Sequence, residues 1–130
     1  MTTNLARLTV AAQAASENAY CRYSNFRVGA AVLSASGRVF TGANVENRSY
    51  GLTCCAERTA LFAMVTAGET EFQSLVIYTP TQTPTPPCGA CREVMGEFSP
   101  DGKAAVHSVC ETGEMLISTI GELLPSQFRL

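Results

Sequence analysis

Two cysteines three positions apart, Cys88 and Cys91, sit where the proline-rich stretch PTQTPTPP (residues 80–87) gives way to the helix-forming run CGACREVMGEF. Proline lacks the N–H that a helix interior or a central strand needs, so this stretch is a loop that delivers Cys88 to a helix start. The Cys-x-x-Cys spacing there lets both sulfurs face one metal ion. A third thiol, Cys55, lies at the head of a second helix-forming run, CCAERTALFAMVT, predicted from Cys54 to Thr66 and stopped by Ala67-Gly68, as glycine-terminated helices are. One strand and one long loop separate the two runs. The chain is therefore constrained to a fold that brings two helix N-termini, and with them three sulfurs, to one place.

The rest of the pattern supplies a sheet for those helices. Leu5, Leu8, Ala12 and Ala15 recur at helical spacing over residues 3–19, with Thr3 or Asn4 as a cap. RVGAAVLS and RVFTGANV are β-rich runs joined by the turn ASG, a hairpin signature. FQSLVIYT reads as a buried strand, KAAVHSVC and EMLIST as two short strands, and TIGELLP as a closing helical turn. The order α-β-β-α-β-α-β-β-α predicts a three-layer α/β/α domain with a five-stranded mixed sheet.

With 130 residues, 46% of them hydrophobic, the chain suits one core, expected to span residues 1–130 as a single domain. A net charge of −2 with scattered Arg and Lys offers no footprint for nucleic acid or an anionic membrane surface. No apolar run approaches the roughly 20 residues of a membrane span, and the first 20 residues lack the pattern of a signal peptide. A cytoplasmic location is expected, where thiols stay reduced and clustered cysteines serve metals rather than disulfides. Of the six, Cys21, Cys54 and Cys110 are expected to be packing residues.

Zinc suits thiolates at helix N-termini, whose dipoles and free N–H groups favour the deprotonated sulfur. Three ligands, Cys55, Cys88 and Cys91, leave the fourth tetrahedral position to water, the mark of a catalytic site. Glu57, in the same first turn as Cys55, is placed to act as acid and base without ligating. Three thiolates leave the zinc centre anionic, so Arg58, with Arg92 as a second candidate, is expected to donate to the sulfurs and withdraw charge. The competing reading is a closed structural site with Cys54, Cys110 or His107 as fourth ligand. His107, the single histidine, otherwise reads as a surface or packing residue of a strand, and Asn44 and Glu46, taken alone, as solvated loop residues.

Cys-Ala-Glu followed by Pro-Cys-x-x-Cys is the zinc deaminase signature in its three-cysteine form. Together with YSNFRVGAAV, GANVEN, CAERTALF, PCGACR and ELLPSQF, it makes nearly the whole chain resemble the short, homotetrameric type of cytidine deaminase. The resemblance implies zinc held by Cys55, Cys88 and Cys91, one ion per subunit, and Glu57 as proton shuttle in hydrolysis of cytidine and deoxycytidine to uridines and ammonia, in pyrimidine salvage. It implies that the Ala56 backbone contacts the pyrimidine and that Asn44 and Glu46 bind the ribose 3′-hydroxyl. Phe26 would line the base pocket, and Phe128 and Tyr50 would reach a neighbouring subunit's pocket.

Three positions depart from that pattern. Arg22 stands where the family commonly has proline, Pro86 where it usually has serine, and Glu93 where it usually has glutamine. Pro86 removes a hydroxyl and an N–H beside the departing amino group, which motivates an expectation that N4-substituted cytidines are also accepted. Glu93 is expected to point outward or pair with Arg92. Two alternatives stand beside the nucleoside reading: deamination of a cytosine antibiotic such as blasticidin S, and a zinc-stabilised binding module, which would need no Glu57.

Overall fold

The computed structural model describes residues 3–130. The chain runs α1 (Thr3–Ser16), β1 (Gly29–Ser34), β2 (Val39–Ala43), a 3-10 turn (Tyr50–Leu52), α2 (Ala56–Thr66), β3 (Phe72–Tyr78), α3 (Gly89–Glu97), β4 (Ala105–Val109), β5 (Met115–Thr119) and α4 (Ile120–Leu123). The element order is the predicted one, and the five strands form one mixed sheet in the order β2-β1-β3-β4-β5. β3 and β4 are parallel, and every other neighbouring pair is antiparallel.

This topology places the site. Because β1 runs antiparallel to both β2 and β3, those two strands run in the same direction. Each is followed by a helix, α2 after β2 and α3 after β3. Both helices therefore begin at the carboxyl edge of the sheet, where open α/β sheets bind their ligands.

Helices cover both faces. On one, Leu8 and Ala12 of α1 pack with Ala31, Leu33, Val76 and Val109. On the other, Ala60, Leu61 and Met64 of α2, Met95 of α3 and Ile120 of α4 pack with Val32, Leu75, Ile77 and Val106. β1, covered on both sides, is buried at all six residues, so it reads as a continuous apolar run rather than an alternating one. The β1–β2 hairpin turns through Gly37 at φ 93°, a backbone region that glycine occupies without a steric penalty.

Boundaries differ from the sequence reading in three places. α1 ends at Ser16 rather than at residue 19, because Glu17, Asn18 and Ala19 donate three residues back, to Ala14, Ala15 and Ser16; Tyr20 N then leaves for Asn44 O at 2.9 Å. Thr3 and Asn4 both lie inside the helix, so its cap falls outside the described residues. Cys54 is not helical: it exchanges two backbone hydrogen bonds with Val45, each 2.9 Å, and α2 starts only at Ala56. At the other end of the chain, α4 opens with a capping box in which Thr119 and Glu122 satisfy each other's backbone N–H.

Candidate metal and substrate site

Cys55 and Cys88 occupy equivalent positions, as the N-cap residues of α2 and α3, both with extended backbone. Cys55 O accepts from Arg58 N and Thr59 N at 3.1 Å each, and Cys88 O accepts from Arg92 N at 3.0 Å. Neither side chain caps its own helix, so each sulfur is free to turn into the gap between the two N-termini. Cys91, in the first turn of α3, is fully buried behind them.

The three sulfurs meet: Cys55 Sγ lies 3.9 Å from Cys88 Sγ, which lies 3.4 Å from Cys91 Sγ. All three are within 4.8 Å of one another. A tetrahedral zinc with Zn–S bonds of about 2.3 Å holds its sulfurs about 3.8 Å apart, so the donor set fits zinc. Among the described residues no other His, Cys, Asp or Glu ligand atom joins this set. Of the candidate fourth ligands, Cys110 contacts Thr112 and the carbonyls of Gln82 and Glu114, Cys54 pairs with Val45, and His107 sits half-buried on β4 with its Nδ1 unpartnered.

The electrostatics divide the cluster. Cys55 is drawn down to about 5, first by its hydrogen bond with Cys91 and then by Arg58, whose Nη2 is 3.4 Å from Cys55 Sγ. Cys91 shifts the other way, through its interaction with Cys55 and its burial. Arg58 is raised, chiefly by its bond to Cys55, and so remains charged beside the sulfurs. The Arg92 guanidinium bonds elsewhere: its Nε donates to Pro87 O at 2.8 Å and its Nη1 to Leu123 O at 3.2 Å. It ties the cysteine loop to α4, and it does not pair with Glu93, which instead borders a groove with the C-terminal residues.

Glu57 is buried at 5% exposure, and burial pushes its carboxyl up to about 7 from 4.5. In the metal-free protein, folded Glu57 therefore holds more proton than unfolded Glu57 between pH 4.5 and 7, and its contribution to stability falls as pH rises through that window. Glu57→Gln removes that loss. The stability of the variant relative to the parent should rise from pH 4.5 to 7 by up to about 3 kcal/mol, measured by urea melts of metal-free protein.

A cavity of about 230 Å³ opens in front of these groups. Of the predicted substrate residues, Phe26, Asn44, Ala56 and Pro86 line it together with Glu57, Cys55 and Cys88. Val28, Thr53, Ile77, Thr79 and Thr85 also line it; they escape the sequence reading because nothing in their local pattern marks them. Glu46 and Tyr50 fall in an adjoining depression with Tyr23 and Ser24, and Thr53 belongs to both. Phe128, 73% exposed, lies apart from both, beside Gly96 and Glu97 of α3.

Asn44 corrects an expectation. It is not a solvated loop residue but is buried at 8% exposure, where its Oδ1 accepts from Val28 N at 2.9 Å and its Nδ2 donates to Phe26 O at 2.8 Å. Glu46 extends the same clamp: its Oε1 accepts from Tyr23 N at 3.0 Å and Ser24 N at 3.2 Å, and its Oε2 accepts from the Ser24 hydroxyl. These bonds, led by that of Ser24, lower the Glu46 carboxyl. The two residues thus fix the wall that carries Phe26, and each keeps hydrogen-bonding capacity for a ligand. Asn44→Ala should cost about 1–3 kcal/mol of stability by leaving two backbone groups unpaired, measurable as a lowered midpoint of urea unfolding.

A sequence model of the cytidine and deoxycytidylate deaminase zinc-binding region matches residues 2–107. The cytidine deaminase of Halalkalibacterium halodurans is 48% identical over 115 residues, 88% of this chain and 86% of that protein. That of Sporosarcina psychrophila is 41% identical over 94% of this chain and 89% of its own length. The crystal structure of cytidine deaminase from Burkholderia pseudomallei superposes with a TM-score of 0.89 at 46% identity, covering 98% of this chain and all of that one (100%). A blasticidin-S deaminase from Bacillus cereus is more distant, 27% identical over 78% of this chain and 76% of its own.

Proposed function

The chain belongs to the cytidine and deoxycytidylate deaminase family, and we propose that it hydrolyses cytidine and deoxycytidine to the corresponding uridines and ammonia. The observation that carries this reading is the buried Glu57 facing one cavity with Cys55 and Cys88. Residues 1–130 act as one catalytic domain. Cys55, Cys88 and Cys91 hold one zinc ion per subunit, which when bound supplies the Lewis acidity that ionises water near neutral pH.

Glu57 moves the protons. Burial raises its carboxyl, which suits a group that must both accept and donate near physiological pH. It takes the first proton of the attacking water and delivers it to N3 as the C4–O bond forms. It then passes the second proton to N4 as the C4–N4 bond breaks, and ammonia leaves. Arg58 offsets thiolate charge, while the Ala56 backbone and Phe26 position the base and Asn44 and Glu46 the sugar.

The active form is a homotetramer in which Tyr50 and Phe128 complete a neighbour's pocket. Their exposure in the single chain, 75% and 73%, supports this reading. Among the described residues no helix is long and apolar enough to cross a membrane. Pyrimidine salvage in the cytoplasm is the role that suits such an enzyme.

The test is ammonia release from cytidine, deoxycytidine and blasticidin S by purified, zinc-loaded protein. Turnover of both nucleosides is the expected result. Turnover of blasticidin S alone would transfer the assignment to the antibiotic, and a zinc-replete protein that turns over none would be a binding module.

A further inference from the structure

We infer that Arg92 is a positioning residue of the metal site: through the Pro87 carbonyl it fixes the peptide that presents Cys88, and so sets how tightly the three sulfurs hold zinc. This rests on the assignment of Cys55, Cys88 and Cys91 as the ligands.

The three sulfurs are not held alike. Cys91 lies inside the first turn of α3 and is fully buried, so the helix itself fixes it. Cys55 follows Cys54, whose backbone exchanges two hydrogen bonds of 2.9 Å with Val45. Cys88 is exposed and follows Pro84-Thr85-Pro86-Pro87, a run in which only Thr85 has an N–H to anchor it. Its side chain makes no capping bond to α3. Among the described residues, one hydrogen bond reaches the backbone of residues 84–87, from Arg92 Nε to Pro87 O at 2.8 Å.

That bond acts on Cys88 through a single dihedral. The Pro87 ring fixes φ but leaves ψ free, and ψ turns the Pro87 carbonyl and the Cys88 N–H together, because they share one peptide plane. Holding the Pro87 oxygen therefore holds the plane from which Cys88 projects its sulfur, 3.9 Å from Cys55 Sγ and 3.4 Å from Cys91 Sγ. Arg92 is itself braced. Half-buried on α3, it donates from Nη1 at 3.2 Å to the carbonyl of Leu123, the last residue of α4, which has no helical donor of its own. α4 is fixed in turn by its capping box, by the buried Ile120 and by bonds from Ile120 N to Ala104 O and Gly121 N to Gly102 O. Two bonds on one planar guanidinium keep Nε aimed at Pro87. A ligand set before the ion arrives loses less freedom on binding, and outer partners of this kind carry about 10–100-fold in metal affinity.

The experiment compares Arg92→Met and Arg92→Gln with the parent and with Gly29→Ala, which crowds the backbone of α1 on the opposite face of the sheet. Methionine keeps the unbranched stem and has no donor. Glutamine places an N–H as many bonds from the backbone as Nε, within reach of Pro87 O but not of Leu123 O. Zinc affinity is measured by competition with a chromophoric chelator. Zinc release from the loaded proteins into excess chelator is measured beside it, a reading that stands even where a metal-free variant is unfolded. Arg92→Met should bind zinc about 10–100-fold more weakly and release it correspondingly faster. Arg92→Gln should bind at least about fivefold more tightly than Arg92→Met, although both lack the Leu123 bond, and Gly29→Ala should match the parent. Because glutamine is neutral, its recovery assigns the effect to the bond rather than to charge. Arg92→Met as tight as the parent, or Arg92→Gln as weak as Arg92→Met, overturns the inference and leaves the ligand assignment standing. A parent that binds no zinc removes the assignment, and this inference with it.

Discussion

Glu57→Gln is expected to lower kcat for cytidine by about 10²–10⁴-fold with zinc content unchanged. The side chain is buried at 5% exposure, and glutamine fills the same space. Burial already holds the carboxyl up to about 7, so near neutral pH the fold tolerates a neutral group at this position. What the amide cannot do is accept the proton of the attacking water and return it to N3 and N4. Steady-state kinetics, metal analysis and thermal melts on one preparation separate the roles. Lost turnover with retained zinc assigns proton transfer to Glu57. Lost zinc would make it a ligand, and full turnover would remove it from the chemistry.

Glu57, Cys55, Cys88 and Cys91 were legible because their spacing is local: each is defined by a helix start and a turn of helix. The fold class was legible for a similar reason, since the alternation of apolar runs with Gly and Pro punctuation orders the elements without reference to contacts. The boundaries were less so. Cysteine is not among the residues that mark a helix start by capping chemistry, so nothing in CCAER separates the extended Cys54 from the N-cap Cys55. The burial of Asn44 was not legible, because its partners Val28 and Phe26 lie on another segment and only the closed sheet brings them near. Arg92 was read as a neighbour of the sulfurs from its place beside Cys91, yet the carbonyls of Pro87 and Leu123 claim its guanidinium. Thr79, just after β3, and Thr85, in the proline-rich loop, line one cavity only once the chain is folded. In each case the missing information was a long-range partner rather than a propensity.

Gly42→Ala should destabilise the protein and loosen the metal site together, whereas Gly29→Ala should destabilise it and spare the site. At Gly42 an added Cβ would lie 2.7 Å from Ala56 O and closer still to Ala60 N and the Thr59 hydroxyl. Two of these three are backbone atoms of α2 and cannot swing aside. The Thr59 hydroxyl also anchors that helix to β2, 2.9 Å from Ala43 O. Relief therefore requires α2 to lift from the sheet, and α2 starts at the residue after Cys55 and carries Glu57 in its first turn. At Gly29 the added carbon would lie 2.6 Å from Ser16 N and closer to Ala12 O, both in α1, which packs on the opposite face and contributes no ligand. Overpacking against rigid backbone costs about 3 kcal/mol or more, which for a chain of this size lowers Tm by roughly 10 °C. Both variants should show that drop, but only Gly42→Ala should also bind zinc at least about tenfold more weakly and turn over more slowly at 20 °C. Equal zinc affinity in the two variants would mean that the sulfur cluster is held by α3 and the proline loop alone, and that the seating of α2 on β2 does not set its geometry.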